Sequence, residues 1–500
     1  MSPKVQLLTI VLPLSLAVIT GCAQVPKESG FGDVQKLVGQ KIDYRLYWNQ
    51  GSTADAEVTR SIDDLLKDEL SVDEAVQIAL LNNQHLQAVY EDLGVTQADV
   101  VEAGLLENPV FFGQARFPDR SPRMTNLDFE VSQNFLNVLM LPARKKLAAM
   151  QFEEVKLKVA DEVLKLAAEV RAAYYRATGA KQIEQMRRHI VDAAEASYEM
   201  ARRLNKAGNI SDLRLAGEQA HYENARMNFA QSTTLAVESQ EQLIRLMGLW
   251  GAQAELKLVQ QLPDLPAGEI AMEHLESLAI QNRLDLASSR QEIEVLAQAL
   301  GITLDWRWFG KADVGISTER DTDGQWVTGP SLTLELPIFN QRQADIARLE
   351  SRLRQSQKRL AAKAINVRSE VRSLRKRLMM QRYLVDHFKT VMIPLQERIV
   401  ELTLQEYNYM LTGVFDLLIA RQNEFDNYQN YIETVRDYWI TRTQIQYVVG
   451  GRLPPPDSGD TDENSPDKQH HSMKNLRPRL NGALSDSRSQ DKILGKQDTK

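Results

Sequence analysis

The feature that most constrains this chain is a stretch without glycine that runs from Gln341 to Met410. Its apolar residues recur at alternating steps of three and four, which is the spacing of a coiled-coil seam. A helix of this length extends about 100 Å, too long for a compact globular domain. The sequence therefore predicts an elongated helical protein. The seam comprises Leu353, Leu360, Val367, Val371, Leu374, Leu378, Val385, Phe388, Met392, Leu395, Ile399 and Leu402.

A matching helical rod is predicted earlier in the chain, from Asn137 to Asn205. The two rods differ in their prolines. Pro394 interrupts the later rod and should remove one backbone hydrogen bond and bend the helix. Pro142 lies near the start of the earlier rod, where proline is tolerated.

Self-comparison indicates two tandem copies of one unit of about 200 residues. Each copy is predicted to contain a helix, two short strands, a very long helix, a tight turn and a second long helix. The first copy covers residues 68–250, residues 251–272 form a linker, and the second copy covers residues 273–450. The matching segments are Ala79–Leu86 with Ala279–Leu286, Leu127–Val131 with Leu332–Leu336, and Gly208–Ala216 with Gly413–Ala420.

Four short segments alternate apolar and polar residues, as strands with one apolar face do. They lie at about residues 109–117, 125–135, 311–319 and 330–339. They fit a transmembrane β-barrel that is apolar outside and polar inside, or a small soluble sheet packed on the helices. Four strands cannot close a membrane barrel, and an open edge in lipid is very costly, so a spanning sheet requires several chains.

The polar positions of these strands carry more acidic than basic residues. This bias favours cations in a pore, unless the carboxylates only keep the lumen wet. The acidic positions are Asp128, Glu130, Asp313, Glu319 and Glu335, against Arg116 and Lys311.

The N-terminus is typical of a secreted protein, with Lys4 before a short apolar stretch that contains Pro13. Residues 1–21 are predicted to be a signal peptide. Ile19–Cys22 resembles a bacterial lipobox, which implies a diacylglycerol on the sulfur of Cys22; an ordinary signal peptide is the alternative. Ala23 follows in place of an aspartate, which favours the outer membrane. Residues 22–67 are then a lipid-anchored segment that runs along the outside of the body.

Several classes of protein are disfavoured. The net charge of -7 gives no reason to expect nucleic acid as a partner. A single cysteine permits no intrachain disulfide, and the histidines lack metal-site spacing. No nucleophile, general base or nucleotide-binding motif appears, so no enzyme activity, metal or other cofactor is expected. Residues 451–500, which include His470 and His471, are predicted to be a disordered tail.

Taken together, the chain resembles the TolC-like outer-membrane efflux proteins over residues 68–450. The resemblance is carried by Pro330–Phe339 leading into a long helix, by Asn282–Leu286, and by the two turns with a glycine followed by Asp-Leu. It implies a mainly α-helical homotrimer whose twelve-stranded outer-membrane β-barrel continues into a long periplasmic α-helical barrel. It also implies a periplasmic adaptor protein and an inner-membrane pump, of the resistance-nodulation-division type, as partners. Within that branch the heavy-metal exporters are favoured.

In this family the two helix–helix turns form the periplasmic tip, which implies adaptor docking at residues 206–213 and 411–417. Gly208 and Gly413 are expected to permit the chain reversals, and Asp212 and Asp416 to cap the following helices or to narrow the entrance. Leu213 and Leu417 complete the expected tip residues. The aspartate expected one turn later in some relatives is replaced by Leu215 and Ile419, so a double acidic ring is not supported.

The sequence leaves three functions open. The favoured one is a passive export duct of a tripartite efflux system, which carries metal cations or drugs. The second is the exit duct of a type I secretion system with the same fold. The third is a lipid-anchored periplasmic coiled-coil scaffold.

Overall fold

The computed structural model of this chain describes residues 25–26, 30–122, 124–271 and 273–454. The predicted signal peptide, Cys22 and the tail from residue 455 onward, with His470 and His471, lie outside the described residues. The chain divides into a main unit, residues 1–267 and 272–454, and a small unit of Gly268–Ala271 and Pro455–Lys500. Gly268–Ala271, the described part of the small unit, contain no helix.

The main unit is mostly helical, and its two halves present the same order of elements once two additional helices at the start of the first half are set aside. The first half contains α1 (Phe31–Gly39), α2 (Thr53–Leu65), α3 (Val72–Asn82), α4 (Gln84–Ala103), β1 (Val110–Arg116), β2 (Asn126–Asn134), α5 (Phe135–Lys206) and α6 (Asp212–Met247). The second contains α7 (Leu275–Asn282), α8 (Leu284–Asp305), β3 (Ala312–Arg320), β4 (Trp326–Leu334), α9 (Gln343–His387), a π turn (Phe388–Met392), α10 (Ile393–Asn408) and α11 (Val414–Val448).

The first rod, α5, is one unbroken helix of 72 residues, about 108 Å long. The Asn134 side chain caps its first turn by accepting a hydrogen bond from the Asn137 backbone N–H at 3.1 Å. The helix therefore starts slightly earlier than expected, and Pro142 lies two turns inside it rather than at its start. Along its length α5 packs against α4, α6, α8 and α11.

The main hydrophobic core lies where the N-terminal segment, α3, α4 and the end of α6 meet the segment Phe152–Ala177 of α5. Val34 and Val38 of α1 are fully buried there. Phe31 packs edge-on against Tyr90, with ring centroids 5.1 Å apart. Residues 30–67 were expected to run along the outside of the body as an extended segment, and they are not extended throughout. They contain two helices and contribute to the core.

The second rod is interrupted by the π turn Phe388–Met392, which ends two residues before Pro394. A π turn contains one more residue than an α turn, and it accommodates the amide nitrogen of proline, which cannot donate a hydrogen bond. On the N-terminal side of the turn the predicted seam is buried, at Val367, Val371, Leu374, Leu378 and Val385.

On the C-terminal side of the π turn the predicted seam positions are wrong by one residue. Leu395, Ile399 and Leu402 are exposed, whereas Val400 is buried. The extra residue of the π turn rotates α10, so that the positions one step later face α11. The seam positions were right only for the part of the rod that shares the α-helical register.

The strands form one antiparallel sheet in the order β1-β2-β3-β4. Gly324, with φ 92°, closes the β3–β4 hairpin at the predicted turn. The last strand was expected at residues 330–339, but β4 is Trp326–Leu334. It starts early because Trp326 pairs with Arg320 across the short hairpin. Pro337 has no N–H to continue the ladder.

Among the residues that the structure describes, no helix has both the length and the apolar character needed to cross a membrane.

Candidate functional site

The sheet places most of its polar side chains on one face and most of its apolar side chains on the other. The exceptions include Val110, Phe112 and Val327 on the first face and Arg320 on the second. In the register, Gln114 lies opposite Asp128 and Asp128 opposite Glu319. On the other face Phe111 lies opposite Val131, and Val131 opposite Ile316. Because successive residues of a strand point to opposite faces, one face is mainly polar and the other mainly apolar. The alternation predicted for these strands is confirmed.

The polar face contains four carboxylates and one guanidinium within the strands: Asp128, Glu130, Asp313 and Glu319, with Arg116. The Arg116 guanidinium lies 3.9 Å from the Asp128 carboxylate and 3.8 Å from that of Glu319. Glu130 accepts a hydrogen bond from the Ser331 hydroxyl at 2.5 Å. The single guanidinium thus lies near two carboxylates, and the polar face keeps an excess of negative charge.

Glu335 was expected on this face within the fourth strand, but it lies just beyond β4. Its carboxylate accepts a hydrogen bond from the Lys311 backbone N–H at 3.0 Å. It therefore ties the start of β3 to the end of β4 at the helical end of the sheet.

The apolar face is open to its surroundings. Phe111, Ile316 and Leu332 are each about two-thirds exposed (68%, 65% and 64%). Exposed aromatic residues lie at both ends of the sheet: Trp308, Phe309 and Phe339 next to the helices, and Phe117 and Trp326 next to the hairpin loops.

At the far end of the first rod, residues 207–211 connect α5 to α6. Gly208 has φ 75° and donates its N–H to the Asn205 carbonyl, while the Asn209 N–H bonds to the Leu204 carbonyl. This is a Schellman motif, in which glycine is the favoured left-handed residue. The expectation for Gly208 is confirmed.

Asp212 does not cap α6 as expected. Ser211 is the N-cap, and its side chain accepts from the Arg214 backbone N–H. The Asp212 carboxylate instead accepts a hydrogen bond from the Asn205 side-chain amide at 3.0 Å and closes the turn. Serine before an acidic residue is itself a cap signal, and it was overlooked.

At the end of the second rod, residues 409–413 connect α10 to α11, two residues earlier than expected. The Schellman bonds are the same, with Met410 donating to the Tyr407 carbonyl and Leu411 to that of Glu406. The left-handed residue is Met410, with φ 58°. Gly413 has φ -87° and is the N-cap of α11, so the expectation that Gly413 reverses the chain is wrong.

Asp416 does cap the helix that follows. Its carboxylate accepts hydrogen bonds from the Thr412 hydroxyl at 3.0 Å and from the Gly413 N–H at 3.1 Å. These bonds, together with the positive charge of Arg214, hold the pKa of Asp416 below its usual range. The carboxylate is therefore ionised at neutral pH.

The two turns meet through a contact that the sequence did not suggest. The Arg214 guanidinium of α6 lies over the Phe415 ring of α11, 4.2 Å from its centroid. Around this contact the apolar side chains of the turns are exposed: Leu213, Tyr409, Met410 and Leu411. Leu417 is only partly exposed.

A buried ionic cluster joins the two halves of the main unit. Arg283 forms two hydrogen bonds with Asp285, at 2.9 and 3.0 Å. Burial opposes ionisation of Asp285, but Arg283 outweighs it and lowers the pKa. Asp161 of α5 accepts a hydrogen bond from the Tyr447 hydroxyl at 3.5 Å. Burial and the negative charge of Asp285 raise the pKa of Asp161 to about 6, although the positive charges of Arg283 and Lys363 oppose the shift.

Within the described part of the chain, no group of three or more His, Cys, Asp or Glu side chains is placed to hold a metal ion. The carboxylates of the polar face are spread along two strands, β2 and β3.

A two-faced sheet whose strands run into helices of this length defines a class of elongated helical protein with a small β end. Solved structures share this fold. The outer-membrane channel CmeC from Campylobacter jejuni is 14% identical, with a TM-score of 0.63, over 89% of this chain and 95% of that one. The CusC structure is 15% identical, with a TM-score of 0.61, over 82% and 99%.

The sequence comparisons agree. The model of the outer membrane efflux protein family matches residues 75–249. The cobalt-zinc-cadmium resistance protein CzcC from Cupriavidus metallidurans is 21% identical over 393 residues, which cover 76% of this chain and 90% of CzcC. The chain is thus similar to the outer membrane efflux proteins, over residues 75–249 by the family model and over most of its length by the likeness to CzcC.

Proposed function

We propose that this protein is a passive outer-membrane duct of a tripartite efflux system and catalyses no reaction. It receives its cargo from an inner-membrane pump through a periplasmic adaptor. The observation that carries the proposal is the direct continuation of a two-faced sheet into the rods. Asn134, the last residue of β2, caps α5, which begins at the next residue.

The sheet has the dimensions and the surface of a membrane-spanning element. Strands of nine residues extend about 30 Å, enough to cross the apolar layer of a bilayer when tilted. The exposed apolar face suits lipid, and the aromatic residues at the two ends of the sheet suit the two interfaces.

Four strands leave two open edges, at β1 and β4. Unpaired backbone groups are too costly in lipid, so we infer a homotrimer that closes a twelve-stranded barrel. The rods then form the periplasmic α-helical barrel. The shared order of elements in the two halves agrees with their origin as tandem repeats.

Two further expectations belong to this proposal. Cys22 carries a covalent lipid that anchors the chain in the outer membrane. The exposed apolar side chains of the two turns, Leu213, Met410 and Leu411, dock the adaptor. Asp212 and Asp416 lie beside them and supply negative charge at the entrance.

Divalent metal cations are the proposed cargo. The polar face has four carboxylates for one guanidinium, and three copies of it would attract cations into the pore. The likeness to CzcC, named for cobalt, zinc and cadmium resistance, points to the same cargo.

A deletion strain tests this cargo. We expect it to become sensitive to zinc, cobalt, cadmium or copper salts, but not to drugs or dyes, and the intact gene to restore growth. Sensitivity to drugs alone, or the loss of a secreted polypeptide with normal metal resistance, would contradict it. The second result would favour the type I secretion duct.

The pore itself is tested in planar bilayers. We expect the purified protein to conduct cations better than anions, and the double variant Asp128→Asn, Asp313→Asn to reduce that selectivity. Ser132→Ala, on the same face and without a change of charge, is the control. A protein that forms no channels would be the periplasmic scaffold instead.

A further inference from the structure

Helix α4 exposes one stripe along its full length, and the part from Asp92 to Glu102 is acidic. The stripe repeats at alternating steps of three and four, like a seam that faces a second helix. The helix contains four acidic residues and no Lys or Arg. The exposed positions of the stripe are His85, Ala88, Asp92, Val95, Asp99 and Glu102.

Helix α9 has the opposite charge. It contains twelve Lys and Arg residues against four Asp and Glu. Apart from its narrow buried seam, most of its surface is exposed. Arg352, Lys358 and Arg359 of α9, like Asp92, Asp99 and Glu102 of α4, form no ion pair with another described residue.

These two helices lie at opposite edges of the main unit. In the half of the rods next to the sheet, α4 packs on α5, α5 packs on α8, and α8 packs on α9. The strands follow the same order, with β1 at one edge and β4 at the other. The N-terminal segment contacts α4 at Gln87 and Glu91. The outer stripe of α4 and the outer face of α9 are exposed, with no helix of the described residues packed on them.

The opposed charges lie at the same level along the rods. The Ser356 hydroxyl of α9 donates to the Glu292 carboxylate of α8 at 2.8 Å, and the preceding residue, Gln291, donates its side-chain amide to the Met150 carbonyl of α5 at 3.1 Å. At the other edge Lys145 of α5 lies beside Gly104. Because α4 and α5 are antiparallel, Asp99 is level with Met150 and Ser356. Asp99 and Glu102 thus match the segment from Arg352 to Arg359.

We propose that the acidic stripe of α4 binds the basic face of α9 of the next copy of this chain, with Glu102 next to Arg352 and Arg359 between Asp92 and Asp99. The inference rests on the proposed trimer. It assigns to the trimer the contact by which the copies recognise one another. Unlike edges that meet head to tail generate a closed ring, and opposite charges disfavour the pairing of like edges.

Cysteine cross-linking in membranes tests the contact directly. We expect Glu102→Cys with Arg352→Cys to form disulfide-linked multimers on a non-reducing gel. Glu102→Cys with Arg375→Cys, several turns lower on the same helix, is the matched control and should not. No cross-link at the first pair, or equal cross-links at both, would overturn the proposed contact.

Charge reversal tests its energetics. Asp92→Lys, Asp99→Lys and Glu102→Lys together should lower the trimer fraction of the detergent-solubilised full chain about ten-fold or more, because like charges then face each other. Adding Arg352→Glu and Arg359→Glu should restore the trimer. Reversal of the exposed Glu57, Asp68 and Glu69, outside both edge helices, should leave it unchanged.

The outcomes separate the two proposals. A wild-type protein that is monomeric by light scattering, in detergent and in membranes, would overturn the trimer itself. A trimer that survives reversal of one edge, or that is not restored by reversal of both, would overturn only the pairing of α4 with α9.

Discussion

The two long rods of this chain have similar lengths but very different surroundings. Rod α5 is packed by six other helices and is buried on several faces. The second rod, α9 and α10, lies at the edge and buries only a narrow stripe. The first is an unbroken α-helix through Pro142, whereas the second contains a π turn before Pro394.

The difference shows how packing controls helix geometry. A register shift rotates every later side chain by about 100°, and a helix buried on several faces would lose all of its contacts at once. A helix buried along one stripe needs only one new residue per turn to face its neighbour. The edge rod can therefore accept the π turn, and the central rod cannot.

The largest expected effect concerns the Asp161 carboxyl, which the packing around the central rod α5 buries. Burial raises the pKa of Asp161 to about 6, and the negative charge of Asp285 adds to the shift; Arg283 and Lys363 oppose it. From about pH 4 to 6 the native state keeps a proton that the unfolded chain has lost, so stability falls as pH rises. Asp161→Asn should raise the free energy of unfolding at pH 7 by on the order of 2–3 kcal/mol.

Urea unfolding of the detergent-solubilised protein at pH 5 and pH 7.5 measures this effect. The wild type should be less stable at pH 7.5 through this group, and Asp161→Asn should reduce that difference. Asp192→Asn, exposed on the same helix, is the control and should change little. An Asp161→Asn protein that is less stable at both pH values would show that the carboxylate is favourably paired.

The helices and strands could be predicted from the sequence because each is indicated by a pattern of neighbouring residues that continues over many positions. The rods follow from sustained apolar spacing, and the sheet faces follow from strict alternation. The family model also matches residues 75–249, within the predicted first copy. The turn near Gly208 followed from the one residue type that adopts positive φ freely.

What the sequence could not supply depends on contacts between distant residues. The π turn at Phe388–Met392 has no composition signal apart from Pro394, which also fits a simple kink. The Arg214–Phe415 contact joins two turns that are far apart in the chain. Aligning the turns on their glycines placed Gly413 opposite Gly208, although the structural counterpart of Gly208 is Met410.

The next effect tests the register shift in the edge rod. Val400→Ala should cost roughly 2 kcal/mol of stability, because a buried side chain loses its contacts. Ile399→Ala should cost less than about 1 kcal/mol, although isoleucine is larger, because Ile399 faces away from α11. Without the π turn the order would be reversed, so urea unfolding of the two variants decides the register. A greater loss for Ile399→Ala would contradict the rotation of α10.

The smallest effect compares the ends of the two rods. The Schellman bonds are the same, but the left-handed residue is Gly208 in one turn and Met410 in the other. A side chain in this conformation costs about 1 kcal/mol. Gly208→Ala should therefore destabilise the first turn by that amount, and Met410→Gly should stabilise the second by a similar amount. Amide hydrogen exchange of the last turns of α5 and α10 measures each change locally. If Met410→Gly instead speeds exchange, the exposed Met410 side chain contributes a contact worth more than the relief of its backbone, as expected if a partner protein covers it.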